Sequence, residues 1–301
     1  MNYYNEIKNK LIDNEVYKRV KDYSKNRNDL NTYYEVGKLL IEAQGGEERA
    51  KYGDRLIKEY SERLYNELGK KYDITTLKRY RQFYLKIEKG AALRHQLSWT
   101  HYRELLTLDN INELNYYVEI TIEQNLSYRQ LREKIKTKEY QRLDDNTKLK
   151  LVNKEEVNVN DFIKNPIIIK DRLGIDKENI SEKILQRLII EDVEGFMKEL
   201  GVGFCFIGSE YKIKIGNTYN YIDLLLFNYI YNCFIVIELK VCELKKEHIG
   251  QIEVYMNYID RHIKSINQDK TIGIIISRRN NNYYIEYSSD KRILTREYII
   301  S

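Results

Sequence analysis

Proline is almost missing from this chain: Pro166 is the sole example among 301 residues. So few breakers exclude a sandwich of many short strands and point to long helices. Cysteine is scarce too. Cys205, Cys233 and Cys242 are odd in number and have no CxxC spacing, which argues against a disulfide framework and a zinc site. They read as reduced, mostly structural thiols of a cytoplasmic protein. No apolar run approaches the roughly 18–20 residues that span a bilayer, so no membrane partner is expected. The opening MNYYNEIKNK lacks an apolar segment behind its basic residues, and a secretory signal is not expected. A strong charge excess is also lacking. The formal net charge of +5 permits a nucleic-acid partner without demanding one.

What is present describes a globular protein. Charged residues make up 32% and apolar residues 42%, and 301 residues suffice for two ordinary domains. The richness in Tyr, Ile, Asn and Lys fits an AT-rich coding sequence, so the 28 tyrosines carry little meaning as a count.

Residues 1–142 show apolar positions at helical spacing and no convincing alternation of period two. Helices are predicted over residues 29–43, 54–68, 100–106, 111–125 and 127–138, the last capped by Ser127. Another should start after Asp73, with Thr75 or Thr76 as its cap. Residues 143–160 are polar and weakly periodic and read as a linker. Residues 161–301 form the second domain. There a helix over residues 181–200 precedes three strand-like segments, GFCFIGSEYKIKI, YNYIDLLLF and NCFIVIELKV. A helix from Lys246 and a fourth strand, TIGIIIS, follow. The fold class expected is therefore α+β in two domains: an all-α, helix-turn-helix-like domain followed by an α/β domain with a mixed sheet.

Asp223 and Glu238 stand out because each interrupts an apolar strand, Tyr221-Ile222-Asp223-Leu224-Leu225-Leu226 and Phe234-Ile235-Val236-Ile237-Glu238-Leu239. An unpaired buried carboxylate costs several kcal/mol, roughly what a whole domain can spare. One bound cation would relieve both. Side chains alternate along a strand, so Lys240 shares a face with Glu238. Two carboxylates and an ammonium at one spot suit phosphodiester hydrolysis with Mg²⁺ or Mn²⁺. The same triplet could equally make a structural salt bridge at a strand end, and alone it does not choose.

The wider pattern resembles a known arrangement. Asp223-x14-Glu238-Leu239-Lys240 on a hairpin, with a helix before and after, is similar to the PD-(D/E)XK nucleases, and more closely to the bacterial YhcG-type family. The likeness covers Glu194-Gly195-Phe196-Met197-Lys198-Glu199-Leu200-Gly201, Gly203-Phe204-Cys205-Phe206-Ile207-Gly208 and Tyr221-Ile222-Asp223-Leu224. It continues through Ile237-Glu238-Leu239-Lys240 to Gly250-Gln251-Ile252-Glu253-Val254-Tyr255-Met256-Asn257-Tyr258. Ile222 stands where the motif usually has proline. The resemblance implies that Asp223 and Glu238 bind the metal, that Lys240 is the catalytic lysine and that Glu194 is an auxiliary acid. It places Gln251 in the site, with Tyr255 one turn later. Glu194 could instead be a solvated helix residue, and Tyr255 a core residue.

In the first half, basic residues gather from the turn near residue 70 onward, among them Lys70, Lys71, Lys78, Arg79, Arg81 and Lys86. With Gln82 they could form a recognition helix in a DNA groove, or simply a solvated basic face. Here too the sequence resembles the helical domain preceding the nuclease in the YhcG-type family, through Tyr34-Glu35-Val36-Gly37-Lys38, Ala50-Lys51-Tyr52-Gly53, Leu77-Lys78-Arg79-Tyr80-Arg81-Gln82-Phe83-Tyr84 and Gln96-Leu97-Ser98-Trp99-Thr100-His101-Tyr102. Tyr34 stands where the family usually has Trp. The resemblance implies DNA binding or a protein contact for this domain. Trp99 and His101 read as structural, the histidine as a cap or another hydrogen-bonding group.

The function expected is metal-dependent hydrolysis of DNA by an endonuclease in defence, repair or mobile-element processing, with a homodimer by analogy alone. The alternatives are a non-catalytic DNA-binding or assembly protein that keeps the nuclease fold, and an RNase.

Overall fold

The computed structural model describes residues 3–19, 25–46, 54–69, 72–175, 180–280 and 290–301. The Ala50–Gly53 motif, Lys70 and Lys71 lie outside them. The chain divides into two compact units, Met1–Tyr140 and Gln141–Ser301.

The first unit is helical: α1 (Tyr3–Arg19), α2 (Lys25–Ala43), α3 (Asp54–Leu68), α4 (Ile74–Glu88), α5 (Trp99–Leu105), α6 (Ile111–Glu123) and α7 (Tyr128–Lys136). Caps set several starts. Ser127 accepts from the Gln130 N–H, and the Gln130 side chain accepts from Ser127 in return. For α4 the cap is Asp73, not Thr75 or Thr76, and its Oδ1 accepts from the Thr76 N–H at 2.7 Å. A carboxylate facing a helix N-terminus gains from the helix dipole where a threonine would not. Leu77, Tyr80 and Phe83 form the buried face of α4. Tyr80 stacks on Tyr33 with centroids 4.4 Å apart, and Trp99 packs against Tyr33, Tyr80 and Phe83. A Cβ at Gly37 would run into the Tyr80 carbonyl, so only glycine lets α2 cross α4 this closely.

The second unit comprises α8 (Asp145–Asn153), β1 (Ile167–Ile169), α9 (Glu182–Glu191), α10 (Val193–Leu200), β2 (Phe204–Ile215), β3 (Thr218–Asn228), β4 (Cys233–Glu243), α11 (Lys246–His262), β5 (Asp269–Arg279) and β6 (Ile293–Ile300). The strands form one mixed sheet in the order β1-β6-β5-β4-β3-β2. Pairs β2–β3 and β3–β4 are antiparallel, and the others are parallel. Both faces are covered, as parallel strands require. Leu185 and Leu188 of α9 and Phe196 and Leu200 of α10 pack with Leu224, Leu226, Ile237 and Leu239. Ile252, Met256 and Ile259 of α11 pack on the other face with Leu225, Val236 and Ile275. Each such fully buried side chain contributes roughly 1.5–3 kcal/mol. This is the fold class expected, with additions and corrections.

Strands β1 and β6 extend the sheet beyond the four expected segments. The helix expected over residues 181–200 breaks at Asp192, which is not helical, and so becomes α9 and α10. The expected linker is structured: α8 lies inside it, and several of its charged residues are paired although most of its polar side chains stay exposed. Lys150 bridges to Asp161 at 3.0 Å and Asp144 accepts from Arg296 at 3.0 Å, while neighbouring Arg142 pairs with Glu199. Charged groups that satisfy one another have the composition of a linker without its freedom.

Candidate active site

The site forms where β3 and β4 part. Their ladder runs from Asn228↔Cys233 to Leu224↔Ile237 and stops there. Strand β4 continues along β5 and β3 continues along β2. Asp223 lies at the fork. Its Oδ2 accepts from the Leu239 N–H at 2.7 Å, so the carboxylate replaces the missing rung.

Opposite it, Glu238 is 2% exposed and Lys240 8%. Lys240 Nζ donates to Glu238 Oε1 at 2.9 Å and lies 3.6 Å from Glu182 Oε2. Gln251 Nε2, from α11, donates to the same Glu238 oxygen at 2.7 Å and reaches the Tyr255 hydroxyl at 3.1 Å. Tyr255 itself is buried, serving the core and the site together. On the other side, Gln186 Nε2 of α9 donates to the Asp223 carbonyl at 2.9 Å. The structure therefore brings together Asp223, Glu238, Lys240 and Gln251.

It does not bring in Glu194. That residue lies on α10, exposed and paired with Lys198, whose ammonium holds its carboxyl below the usual range. The break at Asp192 separates α10 from α9. The helix acid at the site is Glu182, in the first turn of α9 and four residues before Gln186, hence on the same face. That Glu182-x3-Gln186 spacing, at the start of the helix preceding the sheet, was the signal available in the sequence.

Electrostatics follow from burial. Desolvation, then the Asp223 charge, pushes the Glu238 carboxyl up to about 7. Burial likewise raises Asp223, partly offset by the Leu239 N–H and Lys240. Burial works against the Lys240 ammonium, yet its hydrogen bond to Glu238 and the charges of Glu238, Glu182 and Asp223 prevail, and its pKa is raised. Lys240 is thus a cation here, suited to holding an anion or a water rather than to removing a proton. His248, at the start of α11, accepts at Nδ1 from the Lys245 N–H at 3.1 Å. Burial and the Lys240 charge lower its pKa and favour the neutral ring.

Glu238 Oε2 is buried with no hydrogen-bond partner among the described residues. An orphaned, desolvated carboxylate oxygen beside a second carboxylate is the donor set a divalent cation satisfies. Among the described residues, no group of three or more His, Cys, Asp or Glu side chains could hold a metal. Two carboxylates, with water and phosphate completing the shell, fit Mg²⁺ or Mn²⁺ and not a closed zinc cage.

The raised Glu238 carboxyl gives a signed prediction. Between about pH 4.5 and 7 the unfolded chain releases this proton while the folded protein retains it, so this group lowers stability as pH rises through that window. In EDTA, Glu238→Gln is expected to melt close to wild type near pH 4.5 and above it at pH 8, by roughly 2–4 °C for each kcal/mol relieved. Melting curves at the two pH values decide it: an equal difference at both would remove burial as the cause.

In the helical unit the predicted DNA-binding residues divide. Lys86 donates to the Leu108 carbonyl, lies 3.6 Å from Asp109 and is 12% exposed. It is an internal tie, which corrects its assignment to a phosphate. Gln82, one turn earlier on the same face, donates to the Leu106 carbonyl at 2.8 Å. Arg81 reaches Gln44 Oε1 at 3.4 Å, and Lys78 and Arg79 are half-buried. Of the face suggested for a groove, Gln82 and Lys86 are thus tied to the segment between α5 and α6, although Gln82 stays exposed. His101 is the cap expected, with Nδ1 facing the Ser98 N–H and hydroxyl and Nε2 3.1 Å from the Leu126 carbonyl.

Residues 160–300 match the family model of the YhcG PDDEXK nuclease domain, and residues 9–142 match that of the DUF1016 N-terminal domain. Residues 160–300 are a YhcG-type PD-(D/E)XK nuclease domain. YhcG of Escherichia coli (strain K12) is 26% identical, with 81% of this chain and 75% of YhcG covered. Among solved structures, a repair endonuclease from Pyrococcus abyssi is 18% identical with a TM-score of 0.29. An EndoMS–double-stranded DNA complex is 20% identical with a TM-score of 0.30. These matches cover 41% of this chain and only about half of the solved chains, 49% and 48%, too distant to carry function to a YhcG-type protein. No helix among the described residues is long and apolar enough to cross a membrane.

Proposed function

We propose that this YhcG-type chain is an endonuclease that hydrolyses DNA phosphodiester bonds with Mg²⁺ or Mn²⁺. The observation that carries the reading is the convergence of Asp223, the orphaned oxygen of Glu238 and the Lys240 ammonium at the β3–β4 fork. Asp223 and Glu238 would hold the cation, which when bound supplies Lewis acidity at phosphorus and lowers the pKa of coordinated water. Gln251 orients Glu238 through the shared oxygen. The Lys240 ammonium holds the attacking water or a non-bridging phosphate oxygen and offsets charge developing on phosphorus. Glu182 keeps Lys240 protonated and directed into the site.

The test is cleavage of linear, supercoiled, single-stranded and branched DNA, with RNA alongside, in Mg²⁺, Mn²⁺ or EDTA. Cation-dependent cuts within DNA are expected. Tight DNA binding with no cutting under any cation would favour a binding or assembly role, and cutting of RNA alone would make it an RNase.

The site also separates two helix acids. Glu182→Gln is expected to slow cleavage roughly 10–100-fold, the usual effect of losing a group that positions a metal-site residue. Glu194→Gln should leave the rate unchanged. Single-turnover rates on one substrate compare them, and the opposite ranking would return the role to Glu194.

A further inference from the structure

Beyond the fork, β2 and β3 run on together as a two-stranded arm. Its rungs go from Tyr211↔Ile222 to Ile215↔Thr218, and Gly216-Asn217 closes the turn. One face of the arm is core: Ile213 and Ile222 are buried with α11, and Tyr211 and Ile215 pack against them. The other face is open. It carries two rungs of one composition, Lys212↔Tyr221 and Lys214↔Tyr219. Tyr221 and Tyr219 are 52% and 53% exposed, and both lysines are exposed. Lys212 Nζ lies 3.9 Å from the Tyr219 ring centre, and Lys214 Nζ 5.9 Å. The arm is rooted at the site, since Tyr221 is two residues from Asp223 and Tyr219 four.

Cross-strand pairs of this kind stabilise a hairpin by roughly 0.2–1 kcal/mol each, which accounts for pairing but not for two large rings left half in water. We propose that the arm is a track for an unpaired strand of nucleic acid entering or leaving the site, with Tyr221 and Tyr219 stacking on successive bases and Lys212 and Lys214 neutralising the phosphates between them. This inference rests on the nuclease reading of Asp223, Glu238 and Lys240. Two residues of strand advance about 7 Å, so the rings form steps leading outward from Asp223. A duplex keeps its base faces inside the stack and offers such rings nothing to cover. An unpaired strand presents a face at every base, and stacking is tolerant of sequence. The favoured substrates are therefore DNA with a single-stranded tail, gap or flap beside the scissile bond.

The test is binding by the full-length protein in EDTA, followed by anisotropy of a labelled single-stranded oligonucleotide and of its duplex. Tyr219→Leu/Tyr221→Leu is expected to weaken single-strand binding about tenfold or more, from the usual worth of base stacking, and duplex binding much less. Tyr219→Phe/Tyr221→Phe keeps the ring faces and should bind as wild type. Lys212→Ala/Lys214→Ala should reduce the salt slope for a single strand by about 1.4. Wild-type affinity in the leucine variant, or equal losses on single strand and duplex, would overturn the proposal. If that variant does not fold, photocrosslinking of wild type to an iodouracil oligonucleotide replaces it: adducts at Tyr219 or Tyr221 support the track, and adducts confined elsewhere refute it. Failure of the arm and failure of the catalytic reading are distinct. Loss of cutting in Asp223→Asn together with unimpaired binding by the leucine pair removes only the track, whereas weakened binding with undiminished cutting in Asp223→Asn removes only the catalytic assignment.

Discussion

Asp223→Asn and Glu238→Gln are each expected to lower cation-dependent DNA cleavage by roughly 10³-fold or more while DNA binding stays near wild type. The magnitude follows from the several kcal/mol of transition-state charge stabilisation that a bound cation provides, at about 1.4 kcal/mol per tenfold in rate. Both changes preserve shape. An asparagine in place of Asp223 could still accept from the Leu239 N–H, and a glutamine in place of Glu238 could still accept from Lys240 and Gln251, so the fork should survive. Binding should not suffer, because each variant removes a negative charge from a surface that must receive phosphate. Cleavage rates at saturating enzyme, with affinity measured in EDTA, separate the two effects. Wild-type cutting by either variant would show that the fork is not the catalytic centre.

The second large effect is expected at Lys240. Lys240→Ala should reduce the cleavage rate roughly 10²–10³-fold, the range for removing one donor aimed at developing charge. A second readout distinguishes this role from a structural tie. The ammonium lowers the Glu238 carboxyl, and without it burial and Asp223 are opposed only by the hydrogen bond from Gln251. The carboxyl should rise further, so the pH at which residual activity appears should move upward. Rates measured from pH 6 to 9 provide the check. A loss of rate with an unmoved profile would assign Lys240 to substrate contact alone, and an unchanged rate would remove it from the mechanism.

These expectations rest on features of unequal legibility. Asp223, Glu238 and Lys240 stood out because an ionisable residue inside an apolar strand is costly, and the resemblance to the PD-(D/E)XK nucleases favoured a site over a structural salt bridge. Gln251 came from resemblance, and its geometry joins it to Glu238. Glu182 was hidden because an acid in a first helical turn is ordinary, and its importance depends on where α9 lies against β4. The break at Asp192, which separates Glu182 from Glu194, has no proline to announce it. Lys86 and Gln82 looked like a nucleic-acid face because a basic stripe reads the same whether it meets phosphate or the protein's own carbonyls. Residues 143–160 looked like a linker because composition does not report who pairs with whom.

By itself, then, the sequence determined the helical first half and the mixed α/β second half through local periodicity, and it singled out the carboxylate–carboxylate–lysine set through the cost of burying charge together with its resemblance to a known motif. The tertiary structure alone decided which helix acid meets Lys240, that Asp223 fills the gap where β3 leaves β4, and which basic residues face inward. Those outcomes depend on contacts between segments far apart in the chain, whose distances no local pattern encodes.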